Sequence, residues 1–356
     1  MTAGGHGSRR KLLVALTVLL LSGSLRAADV TVIAHRGASG YLPEHTLEAY
    51  AYAYAVGSDF IETDLVLTSD GVLIARHEPT LDLTTNVAEV FPERRAEDGH
   101  FYASDLTWEE VRSLRAQENR PGRFPSEQVR FGVPSLEEIV ALVDGLNQST
   151  GCSIGLYPEL KWTAWHRQRG LDPVAAIRAS MAANRFVGPL RIQSFEPEPL
   201  RELAAEPLPR AMLVQLVEDE AMLTSAGLRE IATYATGLGP SLGQLAALRA
   251  QGDDAVARAR ALGLVVDTWT LRADQLGPFP DFAALIDFAV DTLGVDGVFT
   301  DHPDRVREHL NRTAEAAGAA AAAAGPAVVR ASLRRRPPCS DPGTSRPQAS
   351  VRRPAP

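Results

Sequence analysis

The stretch that decides the fold is VTVIAHRG, residues 30–37, in which β-branched residues lead directly into a basic tripeptide. Such a run predicts a buried strand whose carboxyl end lies where the polarity changes. After it, Thr46 is placed to cap a helix that continues to Val56, and Gly57 is placed to end that helix. The folded part of the chain therefore begins with a strand followed by a helix.

Strands and helices continue to alternate along residues 29–312. The predicted strands are residues 30–34, 59–68, 72–76, 154–160, 190–195, 211–217, 235–239, 264–270 and 297–300. This alternation predicts an α/β protein with a parallel sheet, and eight such strands would close a (β/α)8 TIM barrel. An open, doubly wound sheet is the alternative, and the lack of a glycine-rich phosphate loop after the first strand argues against it.

Residues 79–134 fit neither pattern, because they form a long, polar stretch with scattered aromatic residues. A connection of this length inside a compact domain usually carries function or forms a small subdomain. The next helix begins at a recognisable capping box, Ser135 with Glu138 three residues later. We therefore expect an insertion between the third predicted strand and this helix.

Charge is distributed unevenly along the 356 residues. The net charge of −8 combines +4 in residues 1–28, +5 in residues 313–356 and −17 in residues 29–312. So acidic a body repels polyphosphate, and nucleic acid is not an expected partner. The chain has only two cysteines, which excludes a disulfide-framework protein and a cysteine-rich zinc module.

The two ends predict export and disorder. Residues 1–28 combine a basic start, an apolar run at residues 12–21 and small residues before the expected cleavage point, as in a secretory signal peptide. The run is shorter than the roughly 20 residues that span a bilayer, so we expect a secreted or periplasmic protein without a stable membrane anchor. Arg9 and Arg10 leave twin-arginine export open beside the general route. Residues 313–356, rich in Ala, Pro and Arg, predict a disordered tail.

Two carboxylates interrupt the second predicted strand. Glu62 and Asp64 lie two residues apart, so they share one face of the strand with the apolar Phe60 and Val66. Neighbouring carboxylates on a buried face repel each other and lose hydration unless a cation compensates them. The pattern indicates a site for a hard divalent metal ion, although a solvated face of an edge strand would also explain it.

A turn at Asp70 and Gly71 then returns the chain toward these acids. A two-residue turn places His77 opposite Asp64, and a three-residue turn places it opposite Thr63. In either register the imidazole lies near the carboxylates. A histidine beside two acids is a candidate for proton transfer.

Further polar residues follow other strands. Glu159 and Lys161 share a face of the fourth predicted strand, and His35 and Arg36 follow the first. Glu159 is a candidate third metal ligand, and Lys161 and Arg36 are candidate phosphate contacts, although Glu159 and Lys161 alone would suit a surface ion pair. The set indicates metal-assisted phosphoryl chemistry with Mg²⁺ or Ca²⁺, because the cysteines or clustered histidines of a zinc site are missing.

These motifs, in this order, resemble the glycerophosphodiester phosphodiesterase family, most closely its secreted and periplasmic bacterial branch. The resemblance extends over residues 30–310. It rests on these segments: 35–38, 42–46, Glu62-x-Asp64, His77, Glu159-x-Lys161, 193–195, 234–240, 269–272 and 297–301.

The resemblance implies a distorted TIM barrel with a small subdomain inserted after His77. It also implies hydrolysis of small-molecule glycerophosphodiesters, such as glycerophosphocholine and glycerophosphoethanolamine, to sn-glycerol 3-phosphate and an alcohol. The implied residue roles are Glu62, Asp64 and Glu159 as ligands of Ca²⁺ or, in some members, Mg²⁺; His35 and His77 as the acid/base pair; Arg36 and Lys161 as phosphate contacts; Glu44 as a supporting residue; and Trp269 as a wall of the glycerol pocket or a packed core residue.

Departures from the family pattern concern the alcohol preference. Glu78 stands where the family usually has Asp, and Leu83 stands where close relatives often have Arg. A related barrel phosphodiesterase, of the phospholipase C or sphingomyelinase D type, is the competing enzyme class. A secreted phosphodiester-binding protein with a decayed site is the alternative without catalysis.

Overall fold

The structure is a computed structural model that describes residues 30–125 and 128–323. The predicted signal peptide, residues 1–28, lies outside the described residues, as does the predicted tail beyond residue 323. Within the described part of the chain, no helix is long and apolar enough to cross a membrane.

Eight parallel strands close into a barrel. β1 pairs with β2 on one side and β9 on the other, with Ile33 opposite both Phe60 and Phe299. This double pairing excludes the open sheet and confirms the predicted (β/α)8 TIM barrel. The strands, including one antiparallel addition, β3, are β1 (Thr31–Ala34), β2 (Phe60–Leu67), β3 (Leu73–Ala75), β4 (Gly155–Leu160), β5 (Leu190–Ser194), β6 (Ala211–Val217), β7 (Gly237–Pro240), β8 (Val265–Leu271) and β9 (Gly297–Thr300).

Helices cover the outside of the barrel, and polar residues cap many of them. Thr46 accepts a hydrogen bond from the Ala49 amide, and Ser135 forms the predicted capping box with Glu138. The helices are α1 (Leu47–Ala55), α2 (Val87–Val90), α3 (Trp108–Val111), α4 (Leu136–Thr150), α5 (Thr163–Gln168), α6 (Pro173–Asn184), α7 (Pro197–Ala205), α8 (Ser225–Ile231), α9 (Leu242–Ala250), α10 (Ala255–Ala261), α11 (Phe282–Asp287) and α12 (Pro303–Ala323).

The last helix extends past the predicted end of the domain at residue 312. α12 continues to Ala323, so residues 313–323 are helical and not part of a disordered tail. The physical reason is that this segment is mostly alanine, which has the highest intrinsic helix propensity, and it continues a helix already packed on the barrel.

β3 forms a hairpin with β2 in the register of the three-residue turn. Leu67 pairs with Leu73, and Leu65 pairs with Ala75. The Arg76 amide donates to the Asp64 carbonyl at 3.0 Å, so His77 follows opposite Thr63. The hairpin thus brings the second histidine to the carboxyl end of the barrel.

The inserted segment, residues 79–134, packs as a small subdomain with a core of its own. Its buried Leu81, Phe101 and Leu106 pack against Val66 and Ile74, which are buried side chains of β2 and β3. Short helices and isolated bridges supply its backbone hydrogen bonds. The insertion therefore packs against the β2–β3 hairpin, which His77 follows.

Candidate active site

Three carboxylates converge at the carboxyl end of the barrel. Glu62 and Asp64 project from β2, and Glu159 projects from β4, where it stands in register with Asp64. One oxygen from each of the three side chains lies within 4.8 Å of the others, and all three residues are buried. Adjacent parallel strands and the two-residue period of a strand produce this convergence. The predicted metal ligands, which we call the acidic triad, can together hold one metal ion.

The acidic triad is electrostatically unfavourable by itself. Burial and the neighbouring Asp64 raise the pKa of Glu62 well above its ordinary value. Burial also raises the pKa of Glu159 to about 8. Asp64 differs: burial raises its pKa, but Arg36, His77 and His45 together outweigh burial and hold the Asp64 pKa well below the ordinary range. Both Glu62 and Glu159 therefore resist ionisation at neutral pH. A cation bound between them would favour their ionised forms.

Arg36 joins the loop after β1 to the acids. Its amide donates to Glu62 Oε2 at 2.6 Å, and its Nη1 donates to Glu44 Oε2 at 2.9 Å. Its Nε lies 3.1 Å from Asp64 Oδ2. The adjoining Gly37 has a φ of +82°, and a Cβ there would lie 2.8 Å from the carbonyl carbon of Ala49, so only glycine fits. Glu44 accepts its hydrogen bond from Arg36 and is not among the residues that line the cavity, so its role is to support Arg36.

His45 is a residue whose role the sequence did not reveal. It is fully buried, and its Nε2 lies 2.9 Å from Asp64 Oδ2 while its Nδ1 lies 2.8 Å from the Tyr50 hydroxyl. Its φ of 59° and that of Arg36, 57°, are left-handed, a conformation that costs about 1–3 kcal/mol and is concentrated at functional sites. The only signal available was its place beside the Pro43-Glu44 pair.

His35 is oriented by a carboxylate from the opposite end of the chain. Its Nδ1–H donates to Asp301 Oδ1 at 2.7 Å. Arg123 Nη2 and Arg272 Nε donate to the other carboxylate oxygen at 2.7 and 2.8 Å. Burial lowers the pKa of His35 to about 4, so its imidazole is neutral at pH 7 and retains a lone pair on Nε2. Asp301 follows β9 directly, and that position was its signal in the sequence.

His77 lies at the rim of the same cavity and is one-third exposed. Its Nδ1 lies 2.6 Å from Glu78 Oε1, and its Nε2 lies 3.1 Å from Lys161 Nζ. Lys161 is buried, forms an ion pair with Glu159 at 3.0 Å and lies over the Phe195 ring. The structure thus places Lys161 between the acidic triad and His77 and outside the cavity lining.

The polar side chains surround a cavity of about 140 Å³. Trp269 forms part of its wall, where its Nε1 donates to the Gly239 carbonyl at 2.8 Å and its ring packs edge-on against Phe195. Trp269 is therefore a wall residue with a fixed ring. The lining side chains are His35, Arg36, Glu62, Asp64, His77, Glu159, Gln193, Phe195, Leu216, Trp269, Thr270, Arg272 and Phe299.

The composition of the site fits a divalent cation. The acidic triad and Glu44 carry four potential negative charges, and the nearby Arg36 and Lys161 carry two positive charges. Gln193 adds a buried Oε1 that has no hydrogen-bond partner among the described residues, while its Nε2 lies 3.3 Å from Glu62. The excess of carboxylates in the acidic triad and the unused amide oxygen match the hard oxygen ligands that Ca²⁺ and Mg²⁺ require.

A closed (β/α)8 barrel with an acidic triad able to hold a metal ion and two histidines at its carboxyl end is typical of a TIM-barrel enzyme. A sequence model of the glycerophosphoryl diester phosphodiesterase family matches residues 35–305. The chain belongs to this family. Its activity is that of a glycerophosphodiester phosphodiesterase, a phosphoric diester hydrolase, and its substrate is a small-molecule glycerophosphodiester.

Relatives support this assignment over most of the chain. The glycerophosphodiester phosphodiesterase of Haemophilus influenzae is 32% identical over 80% of this chain and 90% of its own length. That of Treponema pallidum is 30% identical over 81% of this chain and 94% of its own length.

Solved structures share the fold. A protein of Silicibacter pomeroyi assigned to the glycerophosphoryl diester phosphodiesterases superposes with a TM-score of 0.63 at 27% identity, covering 83% of this chain and 97% of that one. A phosphodiesterase of Oleispira antarctica, solved in complex with the product sn-glycerol-3-phosphate, has a TM-score of 0.60 at 23% identity, covering 79% and 96%.

Proposed function

We propose that the protein hydrolyses glycerophosphodiesters such as glycerophosphocholine and glycerophosphoethanolamine to sn-glycerol 3-phosphate and the alcohol, using Ca²⁺ and a pair of histidines. The observation that carries the proposal is the convergence of the acidic triad, His35 and His77 around one small cavity. The cavity, of about 140 Å³, is suited to a small molecule.

Glu62, Asp64 and Glu159 would hold the metal ion. Bound there, it would neutralise charge on the phosphate oxygens. Ca²⁺ is preferred over Mg²⁺ by family resemblance and because Ca²⁺ accepts irregular sets of carboxylate and amide oxygens, while Mg²⁺ demands a near-ideal octahedron. Gln193 Oε1 is a candidate further ligand, because it is buried and has no hydrogen-bond partner among the described residues.

Arginine and lysine side chains would bind and orient the phosphate. Arg36 uses its Nη1 and Nε toward Glu44 and Asp64, and the same guanidinium lines the cavity. Arg272, which also lines the cavity, adds a second guanidinium fixed by Asp301. A phosphate oxygen held between planar donors has its orientation fixed as well as its charge balanced. Lys161 would supply positive charge beside Glu159 and reach the phosphate if its contact with His77 opens.

His35 is suited to accept a proton. Asp301 fixes the tautomer with the proton on Nδ1 and stabilises the imidazolium that forms when Nε2 takes a second proton. His77, which lines the same cavity, would give a proton to the departing alcohol oxygen. Family resemblance suggests that the glycerol 2-hydroxyl attacks phosphorus first, loses its proton to one histidine and expels the protonated alcohol. Water then opens the cyclic phosphate, with the two histidines in exchanged roles.

Turnover of a substrate panel tests this proposal. The full chain without its signal peptide is assayed on glycerophosphocholine, glycerophosphoethanolamine and an intact phospholipid, with chelator and with added Ca²⁺ or Mg²⁺. We expect release of sn-glycerol 3-phosphate from the two water-soluble diesters, only in the presence of the divalent ion. Full activity in chelator, or cleavage of the phospholipid alone, would refute the proposed metal role or the proposed substrate.

We also propose that the enzyme acts outside the cytoplasm. The support is the basic start, apolar run and small residues of segment 1–28. Fractionation of a bacterial host should find the shortened chain in the periplasm or medium. Replacement of Arg9 and Arg10 by lysine would block export only if the twin-arginine route is used. A full-length chain retained in the cytoplasm would contradict the proposal.

A further inference from the structure

Arg123 connects the inserted subdomain to the catalytic end of the barrel. Its side chain is 4% exposed although it belongs to a surface insertion. Its Nε donates to Asp274 Oδ2 at 2.9 Å, its Nη1 donates to the Ser39 carbonyl at 3.0 Å and its Nη2 donates to Asp301 Oδ2 at 2.7 Å. One guanidinium thus reaches three loops, which follow β1, β8 and β9.

Asp301 is the important partner, because it is the carboxylate that orients His35. It is 1% exposed and has His35 on Oδ1, with Arg123 and Arg272 both on Oδ2. A carboxylate whose two oxygens are held from different directions cannot turn without breaking a charge-assisted hydrogen bond. Arg123 therefore restricts the same group that fixes the His35 ring.

Docking of the insertion on the barrel would not by itself require the buried ion pair between Arg123 and Asp301. The contact with Asp274, whose side chain is 43% exposed, would be enough to anchor the segment. Other ion pairs of the insertion, such as Arg94 with Glu110 and Arg115 with Glu89, lie within the segment and are partly exposed. Burying Arg123 against Asp301 removes both charges from water, which is costly unless the geometry is well satisfied. This costly burial occurs at the carboxylate that accepts the hydrogen bond from His35.

We propose that Arg123 is a positioning residue for the reaction: it fixes Asp301 and, through it, the orientation of His35, so that the docked insertion completes the active site. The proposal rests on the proposed role of His35. It assigns the segment 79–134 a part in turnover that differs from covering the barrel, and it separates Arg123 from the residues that touch the substrate.

Substitution of Arg123 in the full chain tests the proposal. For Arg123→Gln we expect kcat to fall about 10–100-fold, by analogy with the loss typical when a supporting partner of a metal-binding histidine is removed. KM should stay within about twofold, because no cavity-lining phosphate contact is removed. Ca²⁺ affinity, measured by calorimetry, should be unchanged, because Arg123 contacts no member of the acidic triad.

Three further variants separate positioning from docking. Arg123→Lys keeps a positive charge near Asp301 and should recover part of kcat, and it serves as the test if the glutamine variant folds poorly. Asp274→Asn weakens the docking contact but leaves the Arg123–Asp301 pair, so it should lose much less kcat than Arg123→Gln. Arg94→Gln, an arginine of the same insertion whose ion pair is exposed, is the matched control and should behave as wild type.

The contrary outcomes are distinct. Wild-type kcat in folded Arg123→Gln or Arg123→Lys would overturn the proposal, as would an equal loss in Asp274→Asn. If His35→Ala itself retains wild-type turnover, the proposed function of His35 fails first. If His35→Ala is inactive and the Arg123 variants are fully active, only the positioning role fails.

Discussion

The two ends of the barrel interior both bury charged residues, but they balance them differently. Near the amino end, Asp267 on β8 accepts hydrogen bonds from Arg191 on β5 and from the Tyr157 hydroxyl, 3.1 Å away. Near the carboxyl end, the acidic triad and Glu44 outnumber the cations Arg36 and Lys161. An apolar plug lies between these two groups of charged residues. It consists of Ile33, Phe60, Tyr157, Val214 and Phe299.

The difference shows that buried charge by itself does not identify a site. At the amino end, one acid faces one arginine, and the Arg191 guanidinium also lies 4.5 Å from the centre of the Phe60 ring. Within this pair the carboxylate and the guanidinium balance each other, so it leaves no net charge for a ligand. At the carboxyl end, the unbalanced acids border a cavity, and a cation bound there would offset their repulsion.

Loss of a histidine at the carboxyl end should have the largest effect. His35→Ala and His77→Ala should each lower kcat about 10²–10⁴-fold, the usual contribution of a general acid or base. Their unfolding temperatures should stay near that of wild type, since Asp301 keeps its two arginines and His77 is partly exposed. Steady-state kinetics and thermal unfolding check this. A variant with wild-type turnover would remove its histidine from the mechanism.

Loss of the counter-charge at the amino end should instead lower stability. Asp267→Asn leaves Arg191 buried without a carboxylate, which costs about 3–5 kcal/mol of unfolding free energy. The double variant Asp267→Asn with Arg191→Met should recover most of that loss. In both, kcat measured below the unfolding temperature should match wild type, because the apolar plug separates the pair from the cavity. A large kcat loss without destabilisation would break the comparison.

The pH dependence of stability should reveal His35. Its pKa is lowered to about 4 in the folded protein, against an ordinary value of 6.5, so the unfolded chain takes up the proton first. Stability should therefore fall as the pH drops from about 6.5 to about 4, by about 3 kcal/mol in total from this group. Denaturant unfolding of wild type and His35→Gln over that range gives the contribution by difference. An equal pH slope in both proteins would show that His35 is not held neutral.

Binding of a metal ion should raise the stability of the protein through the residues at the carboxyl end alone. At a Ca²⁺ concentration 100 times the Kd, the ion should add about 2.7 kcal/mol of stability, seen as a rise in unfolding temperature. Glu159→Gln should lose this rise, because it removes one of the three carboxylates that would hold the ion. Asp267→Asn, the control from the amino end, should keep the rise. A calcium response that survives Glu159→Gln would place the ion elsewhere.

Much of the fold could be predicted because its signals are local. Each predicted strand matches an observed strand within a few residues, since β-branched runs and turn residues act over short distances. The same-face placement of Glu62 with Asp64, and of Glu159 with Lys161, follows from the two-residue period of a strand. The predicted disordered tail was wrong over residues 313–323, because tail-like composition was weighed above the helix propensity of alanine.

The supporting contacts of the site could not be predicted, because they join distant parts of the chain. His35 meets Asp301 across 266 positions, and Arg123 meets Asp301 across 178. His45 reaches Asp64 through a left-handed backbone that no local pattern announced. Such pairings depend on how the barrel closes and on where the insertion docks.

The sequence by itself determined the repeated strands and helices, the residue types able to bind a metal and move protons, and the family to which they belong. Only the tertiary structure decided that three acids share one space, that His35 is held neutral by burial and oriented by Asp301, and that Lys161 lies beside His77. The physical reason is that periodicity and propensity are properties of neighbouring residues, whereas burial, pKa and charge balance arise when separate strands meet at one end of a closed barrel.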